Sequence, residues 1–156
     1  MEKITKILAP TDLSNQSKNA VQYALELAKV LEAEVIIYHV VSQSELMHYQ
    51  HDIYEGKEEE GLRQMRHPLE TYKGALTDYM KGFTALTSQV KAHERVEMGV
   101  PVNNIVELAN KEKVNLIVIS THGRTGLSHM LVGSVTEKVV RLANCPVLSI
   151  HPNGKN

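Results

Sequence analysis

Ser120-Thr121-His122-Gly123-Arg124-Thr125-Gly126-Leu127-Ser128-His129-Met130-Leu131-Val132-Gly133-Ser134-Val135-Thr136-Glu137 follows the clearest strand in the sequence, Val114–Ile119, and leads into helically spaced Val135, Val139, Val140 and Leu142. A buried strand, a glycine-bearing loop and a helix start, in that order, form the βα corner of a parallel sheet. Strands of such a sheet are covered on both faces and read as nearly continuous apolar runs. Val35–Val41 reads the same way. Ile4–Ala9 is a shorter strand ending at Pro10, Arg95–Met98 a weaker one, and Pro146–Ile150 the last.

The helices fall between these strands. Ser14 is placed to open one that carries Val21, Ala24, Leu25, Ala28 and Leu31. Gly99-Val100-Pro101 breaks the chain before a short amphipathic helix with Val102, Ile105, Val106, Leu108 and Ala109. The order β-α-β-loop-α-β-α-β-α-β predicts one α/β domain over residues 1–156. In it, a doubly wound, five-stranded parallel sheet has right-handed crossovers and helices on both faces.

Residues 42–66 are the variable part, a polar surface connection with His48, His51 and Glu58-Glu59-Glu60. Beyond it, Leu62, Met65, Leu69, Tyr72, Leu76, Tyr79, Phe83, Leu86 and Val90 alternate spacings of three and four. This is one apolar stripe on a long helix that starts or kinks at Pro68. Residues 68–91 as one helix would span ~36 Å, overhang a strand of ~17–20 Å and cover the 42–61 segment.

Bulk properties exclude several classes. Seventeen Lys and Arg against 18 Asp and Glu give a net charge of −1, which calls for neither nucleic acid nor an anionic membrane surface. The single cysteine, Cys145, allows no internal disulfide and suits a reducing, cytoplasmic setting. No apolar run is long enough for a membrane span.

The 120–137 loop carries the chemistry. Gly123 and Gly133 allow positive φ and close approach to a ligand. Gly133-Ser134-Val135-Thr136 would set unpaired N–H groups at a helix N-terminus, where an anion is favoured. Arg124 is a candidate second phosphate contact. A second reading needs no ligand: Ser134 with Glu137 forms a capping box, and the glycines make turns. Neither a Walker A sequence nor the dinucleotide GxGxxG is present. If strand 1 neighbours the Val114–Ile119 strand, Pro10-Thr11-Asp12 faces this loop at the carboxyl end of the sheet, where such folds bind ligands. Asp12 would then accept from a ribose, or serve as a turn residue.

Together, Ala9-Pro10-Thr11-Asp12-Leu13-Ser14, His39-Val40, Gly99-Val100-Pro101 and the long loop resemble the universal stress protein family along the whole chain. Nucleotide-binding members carry Gly-x2-Gly-x9-Gly-Ser/Thr. This sequence has Ser120-x2-Gly123-x9-Gly133-Ser134, with Ser120 in place of the first glycine. The Ser120 side chain would either crowd the phosphates or donate to them.

The resemblance implies a Rossmann-like sheet in the order 3-2-1-4-5 and an adenine nucleotide, ATP or AMP, with or without Mg2+. Pro10, Thr11 and Asp12 would meet adenine and ribose. Val40 would line the base pocket, with Ile119 and Ser120 flanking base and sugar. Gly123, Gly133, Ser134, Val135 and Thr136 would hold the phosphates, Arg124 being added on charge and place. The Pro146–Ile150 edge strand, apolar at Val147, Leu148 and Ile150, implies a homodimer.

No catalytic set emerges. His122, Asp12 and Glu137 are isolated candidates, and His48 and His51 read as surface residues. The expected function is a nucleotide-binding stress or signalling protein. A nucleotide-free interaction module and a slow ATP hydrolase are the alternatives.

Overall fold

The computed structural model describes residues 2–54, 68–123 and 132–152, with backbone alone at 52–54. In chain order it contains β1 (Lys6–Pro10), α1 (Lys18–Leu31), β2 (Glu34–Val41), α2 (Gln43–Tyr54) and α3 (Pro68–Met80). A 3-10 turn (Lys81–Phe83), α4 (Thr84–Thr87), β3 (Ala92–Met98), α5 (Pro101–Lys111), β4 (Leu116–Ser120), α6 (Ser134–Leu142) and β5 (Val147–Ile150) follow. All strand pairs are parallel, and the sheet order is β3-β2-β1-β4-β5, as expected.

The period of two along each strand sorts the core into two layers. Ile7, Ala9, Val35, Ile37, Val41, Leu116 and Val118 cluster with Val21, Ala24, Leu25 and Ala28 of α1 and Leu76 and Met80 of α3. The alternate residues Leu8, Ile36, Tyr38, Val40, Ile117 and Ile119 cluster with Ile105, Leu108 and Ala109 of α5 and Val139 of α6. Burying such side chains contributes about 1.5–3 kcal/mol each.

The long helix predicted over 68–91 does not run through. It ends at Met80, and the chain tightens through Lys81–Phe83 before the short α4. Gly82 at the centre of the turn disfavours continued α-helix, and the break lets Phe83 reach the core at 7% exposure. At 13 residues, α3 spans ~20 Å and matches the sheet instead of overhanging it. The stripe is still the buried face: Leu69, Tyr72, Tyr79, Leu86 and Val90 pack against the first layer, while Leu62 and Met65 lie outside the described residues. The Ser14 hydroxyl accepts from the Ser17 N–H at 3.3 Å, as a cap does. Regular helix, however, begins only at Lys18, after a turn. The 42–61 connection contains a full helix, α2, which lies against α3 through Tyr49 Oη and Thr71 Oγ1, 3.3 Å apart.

Charges fasten the amino end of the sheet. Lys6 Nζ meets Glu34 Oε1 at 3.0 Å and Glu112 Oε2 at 3.5 Å. Lys91 Nζ meets Glu34 Oε2 at 2.9 Å, and Arg95 Nη1 meets Glu112 Oε1 at 3.0 Å. Asn115 Oδ1 accepts the N–H groups of Thr5 and Lys6 at 2.9 and 3.0 Å. The hydrogen bonds from Lys91 and then Lys6 hold the Glu34 carboxyl down at about 2, against an ordinary 4.5.

A depressed carboxylate stabilises the fold above its unfolded-state value, and this contribution is lost as pH falls through the folded value. The wild type is therefore expected to lose stability between about pH 4.5 and 2 in part through Glu34. Glu34→Gln should cost about 1 kcal/mol at neutral pH and flatten that acid limb. Urea denaturation across pH checks both; an unchanged limb would show that the network is not stabilising.

Candidate functional site

β1 and β4 continue to Pro10 and Ser120, but their ladder pairs only Ile7 with Leu116 and Leu8 with Ile117. Beyond Leu8 the strands separate. A cleft of about 340 Å3 opens there, at the carboxyl ends of the strands, within the size range of small-ligand sites.

The described candidates all converge on this cleft. Pro10, Thr11 and Asp12 come from the end of β1, Val40 from β2, and Ile119 and Ser120 from β4. Gly123, Gly133 and the first turn of α6, Ser134, Val135 and Thr136, close it. Arg124 lies outside the described residues. Sequence reading missed Ser42, Ser44, Glu45, Pro101 and Ile105, which complete the walls. The signal for one of them was legible: Ser42-x-x-Glu45 is a capping box. Glu45 Oε2 accepts the Ser42 N–H at 2.8 Å, and the Glu45 N–H donates to Ser42 Oγ at 3.3 Å.

The turn after β1 is built from its own side chains. Thr11 Oγ1 accepts the Leu13 N–H at 3.0 Å, and Asp12 Oδ1 accepts the Ser14 N–H at 3.0 Å. These two bonds hold Leu13 at φ 65°, a left-handed position rare for a branched residue. Thr11 Oγ1 also lies 2.8 Å from Ser17 Oγ, which lies 2.9 Å from Tyr79 Oη. The Thr11 hydroxyl thus faces inward, and Thr11 presents backbone to the cleft.

The glycines act by close approach and not by handedness. Neither Gly123 nor Gly133 has positive φ, which corrects that expectation. A Cβ on Gly123 would strike Asp12 Oδ2, and one on Gly133 would lie 3.0 Å from the Thr121 carbonyl oxygen. That carbonyl accepts the Gly133 N–H at 2.6 Å, and the Thr121 N–H donates to Ile150 O at 2.9 Å. Thr121 therefore ties the loop to the edge strand.

The capping box expected at Ser134 and Glu137 does not form. Gly133 is the N-cap, with φ −67° and ψ 156°, and no side-chain cap is made among the described residues. Glu137 instead pairs with Arg141 at 3.5 Å. The Glu137 N–H donates to Gly133 O at 3.0 Å, so the backbone donors of Ser134, Val135 and Thr136 precede the first intrahelical bond. Thr136 Oγ1 donates to Ser120 O at 2.6 Å and locks this turn onto β4.

Ser120 does not obstruct the loop. Its hydroxyl lies 2.7 Å from His122 O and 3.3 Å from Gln16 O, and it also accepts the His122 N–H at 3.3 Å. These contacts direct it into the turn. Val40, Ile105 and Ile119, in the core layer that also holds Val139 of α6, supply apolar lining to the cleft. Cys145 is half-buried outside the cleft lining, and burial pushes its thiol up, away from a nucleophilic thiolate. His48 is exposed, with Nδ1 2.8 Å from Ser44 O.

The sequence profile described as the universal stress protein family matches residues 3–151. A universal stress protein of Methanocaldococcus jannaschii is 37% identical over 147 residues, covering 93% of this chain and 81% of that protein. A second M. jannaschii protein, with a solved structure, superposes with a TM-score of 0.73 at 28% identity, covering 99% of this chain and 100% of that one. A universal stress protein solved in complex with cAMP gives a TM-score of 0.67 at 25% identity, covering 97% of this chain and 100% of that one.

Thr136→Val tests the lock on the loop. It keeps the shape but removes the donor to Ser120 O, and the expected cost is about 1–3 kcal/mol in urea denaturation. A cost near zero would mean that the helix start is held by packing alone.

Proposed function

The chain belongs to the universal stress protein family, and on that premise we propose that it binds one adenine nucleotide in the cleft and acts through that binding. The observation that carries this reading is the polarity of the cleft. Val40, Ile105 and Ile119 give the cleft an apolar lining, and a helix N-terminus without a side-chain cap among the described residues lines it as well. Asp12 is part of the same lining. An adenine would fill the space beside Val40, Ile105 and Ile119, next to Pro10 and Thr11. The ribose hydroxyls would reach the Asp12 carboxylate. The phosphates would lie over Gly123 and Gly133 and take the N–H groups of Ser134, Val135 and Thr136, with Arg124 as a further cation and Mg2+ as a companion of ATP. The relative solved with cAMP supports an adenine nucleotide as the ligand class. Because Ser120 turns inward, its replacement of the motif glycine does not count against phosphate entry.

The output is interaction rather than turnover. At the cleft, Thr121 Oγ1 lies 2.8 Å from His122 Nδ1 and 3.1 Å from His151 Nδ1, and hydrolysis faster than about one per second would contradict this reading. A homodimer is the expected assembly, formed through β5. Val147, Leu148 and Ile150 lie on an edge strand, and Val140 and Leu142 on the adjoining α6 are 53% and 50% exposed.

Calorimetry of nucleotide-stripped protein with ATP and AMP tests the site. Saturable binding at about one site per chain, lost in Gly123→Val, is expected, since the new side chain meets Asp12. A well-folded protein that binds neither at millimolar concentration, weaker than about −4 kcal/mol, would leave the interaction module as the function. Light scattering tests assembly: the mass of two chains is expected at micromolar concentration, and a single-chain mass would remove the β5 dimer.

A further inference from the structure

His39 lies on β2 between Ile37 and Val41, 1% exposed, with its ring stacked 5.5 Å from that of Tyr72 on α3. Its Nδ1 is 2.9 Å from the Thr11 carbonyl oxygen. A carbonyl only accepts, so Nδ1 carries a hydrogen. Its buried Nε2 is 3.3 Å from Glu45 Oε1 and receives no hydrogen bond from the described residues. A neutral ring would therefore bury a bare lone pair beside a carboxylate oxygen. A second ring proton turns the same contact into a matched cation and anion, the form in which buried charges are tolerated. The other carboxylate oxygen is held by Ser42, whose N–H and Oγ lie 2.8 and 3.1 Å from Glu45 Oε2. Both Ser42 and Glu45 line the cleft, and so does His39.

We propose that His39 and Glu45 form a positioning pair, engaged by a proton between Nε2 and Oε1, that holds the start of α2 and the Thr11 backbone against the base end of the cleft. The proposal rests on the nucleotide reading above and adds a regulator to it. When the proton leaves, the lone pair and the carboxylate repel. Glu45 then withdraws, and the Ser42 cap and the wall it forms loosen. Binding therefore weakens as pH rises. Among the described residues, the other titratable groups near the pair are Asp12 beside Thr11 on the β1 turn, Tyr72 of α3 against the ring, Tyr49 of α2 beside Tyr72, and Tyr79 of α3 at Ser17. Lys18 of α1 lies over the Tyr79 ring, and β3 meets His39 with Val96.

Two substitutions separate this mechanism from simple packing. Glu45→Gln keeps an acceptor for Ser42 and gives Nε2 an amide N–H, so the contact no longer needs a proton. His39→Asn keeps a donor toward Thr11 and removes the titrating ring. Ring 15N spectra of the ligand-free protein read the pair without any nucleotide. The protection of the Ser42 and Glu45 amides, corrected for intrinsic exchange, is expected to follow the proton on His39 Nε2 and to fall as the ring loses it. In calorimetry from about pH 5 to 8, the range in which imidazoles titrate, wild-type affinity for AMP should fall by about fivefold or more, the lower end of ordinary coupling. In Glu45→Gln and His39→Asn that fall should be absent, leaving only the dependence that the AMP phosphate brings through its own second ionisation at about pH 6.

Protection of the Ser42 and Glu45 amides that does not change as Nε2 loses its proton overturns the proposal. So does a pH profile that Glu45→Gln leaves unchanged. If the ring and amides behave as expected and AMP fails to bind at any pH, the pair stands as a positioner of the cleft wall and the nucleotide reading falls.

Discussion

The short ladder between β1 and β4 is the constraint from which the site follows. Both strands are fully sealed at Ile7, Leu8, Ile117 and Val118, so no polar group can be housed along their length without a matched partner. Strand order reverses between them, because β2 and β3 add on the β1 side and β5 on the β4 side. Their crossover helices leave for opposite faces of the sheet. With pairing ended at Leu8 and Ile117, the strand ends part, and the two loops that follow them face the gap. Thr11, the Asp12 side chain, Thr121 and the α6 N-terminus are arranged around that opening, which is where an open parallel sheet receives its ligand.

Much of this was legible in the residues. The continuous apolar runs gave the strands and their parallel sense, because double-sided burial leaves that trace in composition. The loop residues and the Pro10-Thr11-Asp12 turn were legible because they sit at strand ends, whereas Val40 and Ile119 were implied by the family resemblance. Local geometry was harder to read. The stripe from Leu69 to Val90 has an unbroken helical period, and a 3-10 turn at Gly82 preserves its inward face, so periodicity alone could not show the break. Ser134 and Glu137 have capping spacing, yet Gly133 takes the cap position and Thr136 spends its hydroxyl on Ser120. The working capping box lies at Ser42 and Glu45, at the start of a polar surface connection whose sequence suggested partial helix.

The glycines illustrate why a motif can be right for a different reason. Gly123 and Gly133 sit at ordinary backbone angles and are needed because Asp12 and the Thr121 carbonyl occupy the space of a side chain. Ser120 is the converse. A residue with a hydroxyl fits where the family motif has glycine because His122 O and Gln16 O lie within its reach.

The ion-paired amino end of the sheet has a practical consequence. Lys6, Glu34, Lys91 and Glu112 gather at one pole of the molecule, and the cleft lies at the other, separated by the length of β1, five residues or about 17 Å. A fluorophore, spin label or fusion partner attached near that pole would report on the whole protein without occupying its opening. The polar residues just outside the network, such as Gln89 and Lys113, are therefore natural anchorage points for tethering the protein to a surface with its mouth turned toward solution.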